Sequence, residues 1–331
     1  MNKLPLLLLL AVILALAPLS TPAHGQTSVL QIGSQTLPIT IDGNPSEWGT
    51  YDCTGKAPGL YLETINNIPQ WIWCDPAGDE RTDFANPDPR ADLLQFRVTA
   101  DKNYLYGLVI VSQMPFNIGD DGATFVAITI NRNGATTGEV WFAGNAETNV
   151  SSNAVWQYQV VINLADSRYR GQGKTQVTDT LQANWGGIYY IVDSNWKFQS
   201  DPDSQVGADV SYSAIEFRVN WSTIGGLPSG DSFFLRISLI TARGYSNYGS
   251  GSQGDGGTWE INGASDALDC ITNKTGNTWN EVQDGVVDYY IDLNFTTTPA
   301  YYPVPEPIIV PLLVAATAVG FAFYLFKVRK R

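Results

Sequence analysis

The segment Phe233–Leu239 reads FFLRISL and places a large apolar residue at every second position. Successive side chains of a β-strand point to opposite faces, so this alternation predicts a strand with one face in a core and with Arg236 and Ser238 on the other. Tyr158–Leu164 and Val286–Phe295 alternate in the same way. All three segments therefore predict half-buried strands.

Eight further segments have the composition of strands. They are Leu37–Ile41, Gly59–Thr64, Trp71–Cys74, Leu93–Ala100, Tyr104–Ser112, Phe125–Ile130, Gly187–Val192 and Ser213–Val219. No stretch between residues 26 and 300 keeps a helical period, and the glycine-rich residues 244–257 predict a long loop. The pattern predicts an all-β fold, an antiparallel two-sheet β-sandwich, formed by one domain of residues 26–298.

The two ends of the chain predict its location. Residues 1–25 have Lys3, an apolar stretch and small residues up to Gly25, the pattern of a secretory signal peptide. Residues 308–326 form a 19-residue uncharged stretch, long enough to cross a bilayer as a helix, and a basic tail at 327–331 follows. A buried core helix is the alternative, but the terminal position and the basic tail argue against it. We expect a type I cell-surface protein with a proline-rich stalk at 299–307.

Charge and histidine content exclude several classes of function. The chain has 32 Asp and Glu residues against 19 Lys and Arg residues; five of the basic residues lie in the terminal segments, which leaves the domain at about −18. So acidic a surface argues against a nucleic-acid partner. The single histidine, His24, lies in the predicted signal peptide, which excludes Ser-His-Asp and Cys-His nucleophiles and His-ligated zinc from the mature chain. Since no spacing singles out a glycosidase-type carboxylate pair, we expect no enzyme.

Cysteines and glycosylation sequons fit an extracytoplasmic domain. Three cysteines occur, at Cys53, Cys74 and Cys270, so one disulfide is expected with its pairing open, and the third thiol is either buried or available for an intermolecular bond. Four Asn-X-Ser/Thr sequons predict glycosylation at solvent-facing positions. They begin at Asn149, Asn220, Asn273 and Asn294.

Several motifs, in order along the chain, resemble carbohydrate-binding module family 9 and related DOMON-like domains. They are Ile41–Trp48 (IDGNPSEW), the Asp-rich turn Asp75–Asp79, Ala91–Val98 with the hairpin Asp101–Leu108, Ala214–Val219, and Ala264–Ala267 with the strand from Val286. The resemblance covers about residues 36–296. It implies a jelly-roll-like β-sandwich, often stabilised by calcium, that binds sugar in some members. We expect no catalytic domain beside the module, and this departure from the family weakens the transfer of sugar binding.

Acidic residues crowd the region after the third predicted strand. They are Asp75, Asp79, Asp83, Asp88 and Asp92. Ca²⁺ takes six to eight hard oxygen ligands, so this density predicts a calcium site with Asp75, Asp79 and Asp92 as ligands. Ala77 and Glu80 stand where an EF-hand needs a ligand and a glycine, so the site would be an irregular loop; a solvated acidic loop is the alternative. A second acidic loop is expected at Asp201, Asp203 and Asp209.

Tryptophans are the candidate ligand-binding residues. Trp71 and Trp73 lie two apart on one predicted strand, so they share a face and would form a stacking platform for a sugar ring; core packing explains them equally well. Four more lie in predicted loops, where an exposed indole favours ligand contact and packing under the loop is the alternative. These are Trp185, Trp196, Trp259 and Trp279. Trp48, within the opening motif, is expected to be structural.

The segment Val304–Pro307 (VPEP), followed by the apolar span and the basic tail, resembles the tripartite PEP-CTERM sorting signal. That resemblance implies removal of the span and transfer of the protein to another surface anchor. A plain stalk with a membrane anchor is the alternative.

Taken together, these patterns predict a non-catalytic, membrane-anchored surface module that binds carbohydrate of glycans or the cell envelope, with Ca²⁺ as a structural ion. The alternative is a structural subunit of a surface layer or filament that self-associates through strand edges or the odd cysteine. An electron-transfer DOMON domain is disfavoured, because Met1 and Met114 are the only methionines and the mature chain has no histidine to ligate haem.

Overall fold

The computed structural model describes residues 28–297. Within that range it leaves out 82–87, 115–116, 145, 166–168, 170, 182–185, 193–194, 200, 229, 246–257, 259–262 and 275, and for 186–192 and 195–199 it describes only the backbone. The predicted signal peptide, stalk, membrane span and tail lie outside the described residues, as does most of the predicted glycine-rich loop. Among the described residues, no helix is long and apolar enough to cross a membrane.

The predicted all-β, antiparallel architecture is confirmed as two large sheets. The first sheet contains, in spatial order, β1 (Leu30–Gln31), β17 (Ile291–Thr296), β14 (Ser232–Arg243), β6 (Thr124–Arg132), β8 (Tyr158–Asn163), β10 (Gly186–Val192) and β11 (Asn195–Gln199), and β15 (Asp269–Cys270) also pairs with β14. The second contains β2 (Gly59–Ile65), β3 (Ile68–Cys74), β4 (Leu93–Ala100), β5 (Tyr104–Val111), β13 (Ala214–Asn220), β12 (Asp201–Asp209) and β9 (Gln176–Leu181). All pairs within the two sheets are antiparallel except β1 with β17. A separate pair joins β7 (Asn149–Val150) and β16 (Val286–Val287) in parallel.

The inner faces of the two sheets form the main core. The predicted stripe of β14 is confirmed, because Phe233, Leu235 and Ile237 are buried there against residues of the second sheet such as Trp73 and Phe96. Alternating apolar residues thus remove one side of each sheet from water. This burial stabilises the fold by roughly 25 cal/mol per Å² of apolar area buried. The burial of these stripes is the main reason that the sheets stack.

The segment predicted as one strand over Val286–Phe295 is divided in the structure. It forms β16 and β17, and the intervening backbone leaves the ladder. The amides of Asp288 and Tyr289 donate instead to Oε1 of the buried Glu281, at 2.6 and 3.0 Å. A side-chain acceptor therefore replaces the neighbouring strand at this point, which alternation alone does not reveal.

The predicted strand Leu37–Ile41 is wrong, although its chain packs on a sheet. Ile39 and Ile41 lie against Tyr106 on the outer face of the second sheet and pair with no neighbouring strand. The Leu37 amide donates to the carboxylate of Asp101 at 3.0 Å. The alternation of apolar residues therefore reflects packing against a sheet, and the segment is not itself a strand of that sheet.

The segment Ile41–Trp48 covers the outer face of the second sheet and is held there by Glu216. Trp48 is fully buried, and its indole N–H donates to Glu216 Oε1 at 2.8 Å, while the Asp42 and Gly43 amides donate to Oε2 at 3.1 and 2.8 Å. Gly43 has φ +82°, and a Cβ there would lie 2.4 Å from the carbonyl carbon of Ala208. The expectation that Trp48 is structural is confirmed.

The expected single disulfide is confirmed between Cys53 and Cys74, whose Cα atoms are 5.5 Å apart. It links the loop after the Ile41–Trp48 cover to the end of β3. A crosslink over about 20 residues removes on the order of 3 kcal/mol of chain entropy from the unfolded state. Cys270 is free and fully buried in β15, so the folded domain does not offer it for an intermolecular bond.

Replacing Trp48 tests the anchoring role of Glu216. We expect Trp48→Phe to lower the free energy of unfolding by about 2 kcal/mol, because a buried carboxylate oxygen loses its donor. Urea denaturation measures the change. Tyr212→Phe, at an aromatic residue that is 49% exposed, is the control and should stay within about 0.5 kcal/mol of the parent protein. Equal stability of the two variants would contradict the assignment.

Glu216 also predicts a dependence of stability on pH. Burial raises the pKa of Glu216 from 4.5 to about 7, and its three hydrogen bonds only partly oppose this. The folded protein therefore holds a proton that the unfolded chain releases, so this contribution to stability is present at low pH and is lost as the pH rises towards 7. In urea denaturation between pH 5 and 8 with Ca²⁺ in excess, Glu216→Gln should show a flatter decline than the parent protein. Parallel curves would refute the prediction.

Candidate metal centre

Three carboxylates from distant parts of the chain meet where β3 and β15 lie close together. Asp75 directly follows β3, Asp79 lies in the next turn, and Asp269 begins β15. One oxygen from each lies within 4.8 Å of the others. Gly78 makes this turn with φ +77°, and its amide donates to Asp92 Oδ1 at 2.9 Å. The centre therefore joins the second sheet to the first.

Two of the carboxylates present buried oxygens that have no hydrogen-bond partner. The Trp73 indole N–H donates to Asp75 Oδ1 at 2.6 Å, while Asp75 Oδ2 and Asp79 Oδ1 are buried without a partner. Asp75 is only 6% exposed. A buried acceptor without a donor costs about 1 to 3 kcal/mol, and more when it is charged. Such oxygens are what a bound cation would satisfy.

Asp269 is fully buried and held rigidly. Its Oδ2 accepts from the Leu93 amide at 2.7 Å, and its Oδ1 accepts from the Thr278 hydroxyl at 2.6 Å and the Cys270 amide at 2.8 Å. These bonds orient the carboxylate, and Oδ2, which accepts a single hydrogen bond, keeps one lone-pair site for a metal.

Burial and mutual repulsion raise the pKa values of the carboxyl groups in the centre. Burial first, and then the charge of Asp269, raises the pKa of Asp75 well above its usual range; burial and the charge of Asp79 do the same for Asp269. Burial and the charge of Asp92 raise the pKa of Asp79 to about 7. The charges that contribute to these raised pKa values are those of other carboxyl groups. The ionised cluster therefore calls for a cation or for protons.

The donor chemistry fits a hard divalent cation. All three groups offer carboxylate oxygen, the ligand type that Ca²⁺ and Mg²⁺ prefer and that soft metals do not. Ca²⁺ accepts irregular geometry, two oxygens from one carboxylate and six to eight ligands in total, whereas Mg²⁺ demands a near-ideal octahedron. Three carboxylates whose oxygens lie within 4.8 Å of one another therefore meet the less strict demands of Ca²⁺ more readily.

The prediction of Asp75, Asp79 and Asp92 matches this centre in two of three residues. Asp92 is buried beside it, and burial raises its pKa to about 6, but its oxygens bind the Gly78 amide and Ser112 rather than completing the group. Asp269 takes the third place and was not predicted. Its only signal in the sequence is an aspartate between Leu268 and Cys270, 177 positions after Asp92.

The other predicted acidic residues have different roles. Asp88 is 1% exposed and is paired with Arg90, whose Nε lies 2.6 Å from Oδ1, and with Arg243. Asp83 lies outside the described residues. The predicted loop of Asp201, Asp203 and Asp209 is wrong, since this stretch is strand β12 between β9 and β13, and Asp201 accepts from the hydroxyls of Ser204 and Thr223. Nearby hydroxyl groups therefore satisfy the Asp201 carboxylate, which the sequence suggested as a metal ligand.

The tryptophans of β3 share one face, as predicted, but that face lies in the core. Trp71 is 4% exposed and Trp73 is fully buried, and the Trp71 indole donates to the Asn294 carbonyl at 3.2 Å. Neither offers a ring face to a ligand, so the stacking platform predicted for these two is corrected to core packing.

Of the four tryptophans predicted in loops, the structure describes two. Trp185 and Trp259 lie outside the described residues. Trp196 lies in edge strand β11, opposite Ile191 of β10, rather than in a loop. Trp279 opens a short helix, α1 (Trp279–Val282), and is partly buried, with the Arg81 guanidinium carbon 4.0 Å from its ring centroid.

The four sequons differ in accessibility. Asn273 is exposed, whereas Asn149, Asn220 and Asn294 are partly buried. The Asn220 Oδ1 caps a 3-10 helix by accepting from the Ser222 amide at 2.9 Å. Asn273 is therefore the asparagine of the four whose side chain is best placed for a glycan.

No protein-family model matches this chain, and no curated protein is significantly similar to it. The resemblance to carbohydrate-binding module family 9 and DOMON-like domains rests on the short segments named above, of which Ile41–Trp48 covers the second sheet and the Asp75–Asp79 turn forms part of the acidic centre.

Calcium should stabilise the protein through this centre. We expect the unfolding temperature to rise by about 5 °C or more when Ca²⁺ exceeds its dissociation constant a hundredfold, since such binding stabilises the folded state by about 2.7 kcal/mol. Differential scanning calorimetry in Ca²⁺ and in EGTA measures this difference.

Asp75→Asn is the sharpest variant for this test. Its Oδ1 still accepts from Trp73, while its amide donates towards the other two carboxylates, so the variant should be at least as stable as the parent in EGTA and should lose most of the Ca²⁺ response. Asp203→Asn, at an exposed aspartate, is the matched control and should keep the full response. A normal response of Asp75→Asn would refute the assignment.

Proposed function

We propose that the protein is a non-catalytic carbohydrate-binding module displayed at the cell surface, with Ca²⁺ at the Asp75, Asp79 and Asp269 centre. The observation that carries the proposal is this buried acidic centre with its unpartnered oxygens. Irregular calcium sites of extracellular modules work at the millimolar Ca²⁺ found outside cells. The centre therefore fits a domain that has crossed a membrane, as the terminal segments also predict.

The finer architecture of the proposal joins the sandwich to its anchor. A signal peptide at 1–25 would direct export, the sandwich would have jelly-roll-like topology, and a helix at 308–326 would hold it at the membrane, or be exchanged for another anchor after the VPEP motif. A disulfide between Cys53 and Cys74 supports an oxidising location.

The binding role is supported by what the acidic centre adjoins. Trp279 remains partly exposed next to it, and an aromatic ring with one supported face is a suitable surface for stacking a sugar ring. Asp75 and Asp269 are buried and Asp79 is partly buried, whereas a glycosidase pair flanks its substrate in an open cleft. This arrangement favours binding over hydrolysis.

A structural subunit is the second candidate, and an open sheet edge favours it. Within the described residues, β2 has a strand partner on one side only, so its other side offers backbone groups for pairing with another chain. The buried Cys270 removes the intermolecular disulfide from this alternative.

A glycan array separates the two candidates. With full-length protein in mild detergent and Ca²⁺, we expect saturable binding to neutral glycans that falls at least tenfold in Trp279→Ala. Tyr212→Ala, at an exposed aromatic residue elsewhere, is the matched control and should bind like the parent protein. A silent array, with mass in light scattering that grows with concentration, would reject the carbohydrate proposal and support the structural subunit.

A further inference from the structure

Thr278 connects the acidic centre to Trp279. Its amide donates to the Asp79 carbonyl at 2.7 Å, and its hydroxyl donates to Asp269 Oδ1 at 2.6 Å. Its own carbonyl accepts from the Glu281 amide at 2.8 Å and so begins α1. The residue immediately before Trp279 is therefore bonded to two of the three carboxylate residues of the centre.

Arg81 makes a second connection between the centre and Trp279. It follows Asp79 by two residues, and its amide donates to the carbonyl of Leu268, the residue before Asp269, at 2.7 Å. Its fully buried guanidinium donates to the Ser265 carbonyl and lies over the Trp279 ring. Any movement of the Asp79 turn or of Asp269 would carry Arg81 with it.

Gly263 leaves little room for Trp279 to take another position. Its φ is +115°, and a Cβ at this residue would lie 2.8 Å from both Arg81 Nη2 and a Trp279 ring carbon. The buried guanidinium thus covers one face of the indole, and the Gly263 backbone lies close to the far edge of its six-membered ring. Its orientation depends on both neighbours staying in place.

We infer that a cation bound by Asp75, Asp79 and Asp269 sets the position of Trp279, so that cation binding and ligand binding through Trp279 are linked. Neutralising the three carboxylates removes the repulsion that would otherwise separate the Asp79 turn from Asp269, and both of these hold Thr278. The identity of the ligand as carbohydrate rests on the proposed function, whereas the connection from the cation to Trp279 does not.

Tryptophan fluorescence with Ca²⁺ alone as the probe tests the connection. In full-length protein titrated with Ca²⁺ and reversed with EGTA, we expect a saturable change in emission and in acrylamide quenching. Because the Trp73 indole also contacts Asp75, the difference between the parent protein and Trp279→Phe isolates the Trp279 signal. That signal should saturate with the same midpoint as the thermal stabilisation, and Asp75→Asn should abolish it while Asp203→Asn keeps it.

Identical Ca²⁺ responses of the parent protein and Trp279→Phe would overturn the inference. Thr278→Ser retains both bonds and should keep the Trp279 signal, whereas Thr278→Val removes the hydroxyl bond to Asp269 and should reduce it. The inference would also be overturned if the double variant with Thr278→Val and Arg81→Lys kept the whole Trp279 signal.

The linkage is then measured with the neutral glycans that bind on the array. Coupling between sites is reciprocal, so chelation should weaken glycan binding by about 5- to 150-fold below the unfolding temperature, and the glycan should tighten Ca²⁺ binding by the same factor. A Trp279 response to Ca²⁺ without any glycan binding would reject the proposed function and support the connection. Glycan binding that is equal in Ca²⁺ and EGTA, with no Trp279 response, would reject the inference and leave the proposed function standing.

Discussion

Three carboxyl groups share one space between the two sheets, and their close approach depends on neutralisation by protons or by a cation. Asp75 directly follows β3 of the second sheet, Asp269 begins β15, which pairs with the first sheet, and Asp79 lies in the turn after Asp75. The Asp75 carboxylate is bonded through Trp73 to the core, and the Asp269 carboxylate is bonded through Thr278 to the start of α1. In a low-dielectric interior, like charges repel strongly, so these carboxyl groups need protons or a cation to lie so close together.

Both sheets are covered on their outer faces, which restricts where a ligand meets the protein. Apolar residues from 142–156 and 267–287 pack on the first sheet, and the Ile41–Trp48 segment covers part of the second. The parallel pairing of β7 with β16 joins the two segments over the first sheet. Flat sheet faces of the kind that stack polysaccharide are therefore largely used for folding. Loops and strand edges remain, and Trp279, which packs against the cover of the first sheet, is partly exposed.

Many of the basic residues serve the interior, although the domain is strongly acidic overall. Arg81 stacks on Trp279, Arg97 donates to the Gly49 carbonyl at 2.8 Å, and Arg132 donates to the Ile224 carbonyl at 2.8 Å. Guanidinium groups have five donors in a fixed plane and suit such backbone acceptors. These guanidinium groups thus hold loops in place, and carboxylates dominate the exterior. In the proposed function, such a surface should prefer neutral to acidic glycans.

The amino-acid sequence by itself determined the β-class, the inward stripe of strands such as β14, the structural role of Trp48 and two of the three carboxyl groups that meet in the acidic centre. These follow from local rules, since alternation, turn residues and the density of aspartates can be read within a few positions. Tertiary structure alone decided that Asp269 joins Asp75 and Asp79, that Trp71 and Trp73 face the core, that Cys53 pairs with Cys74, and that the alternating Leu37–Ile41 segment covers a sheet without joining it. Each of these depends on which distant segments are brought together. That depends on the pairing order of the strands, and a period of two residues carries no information about it.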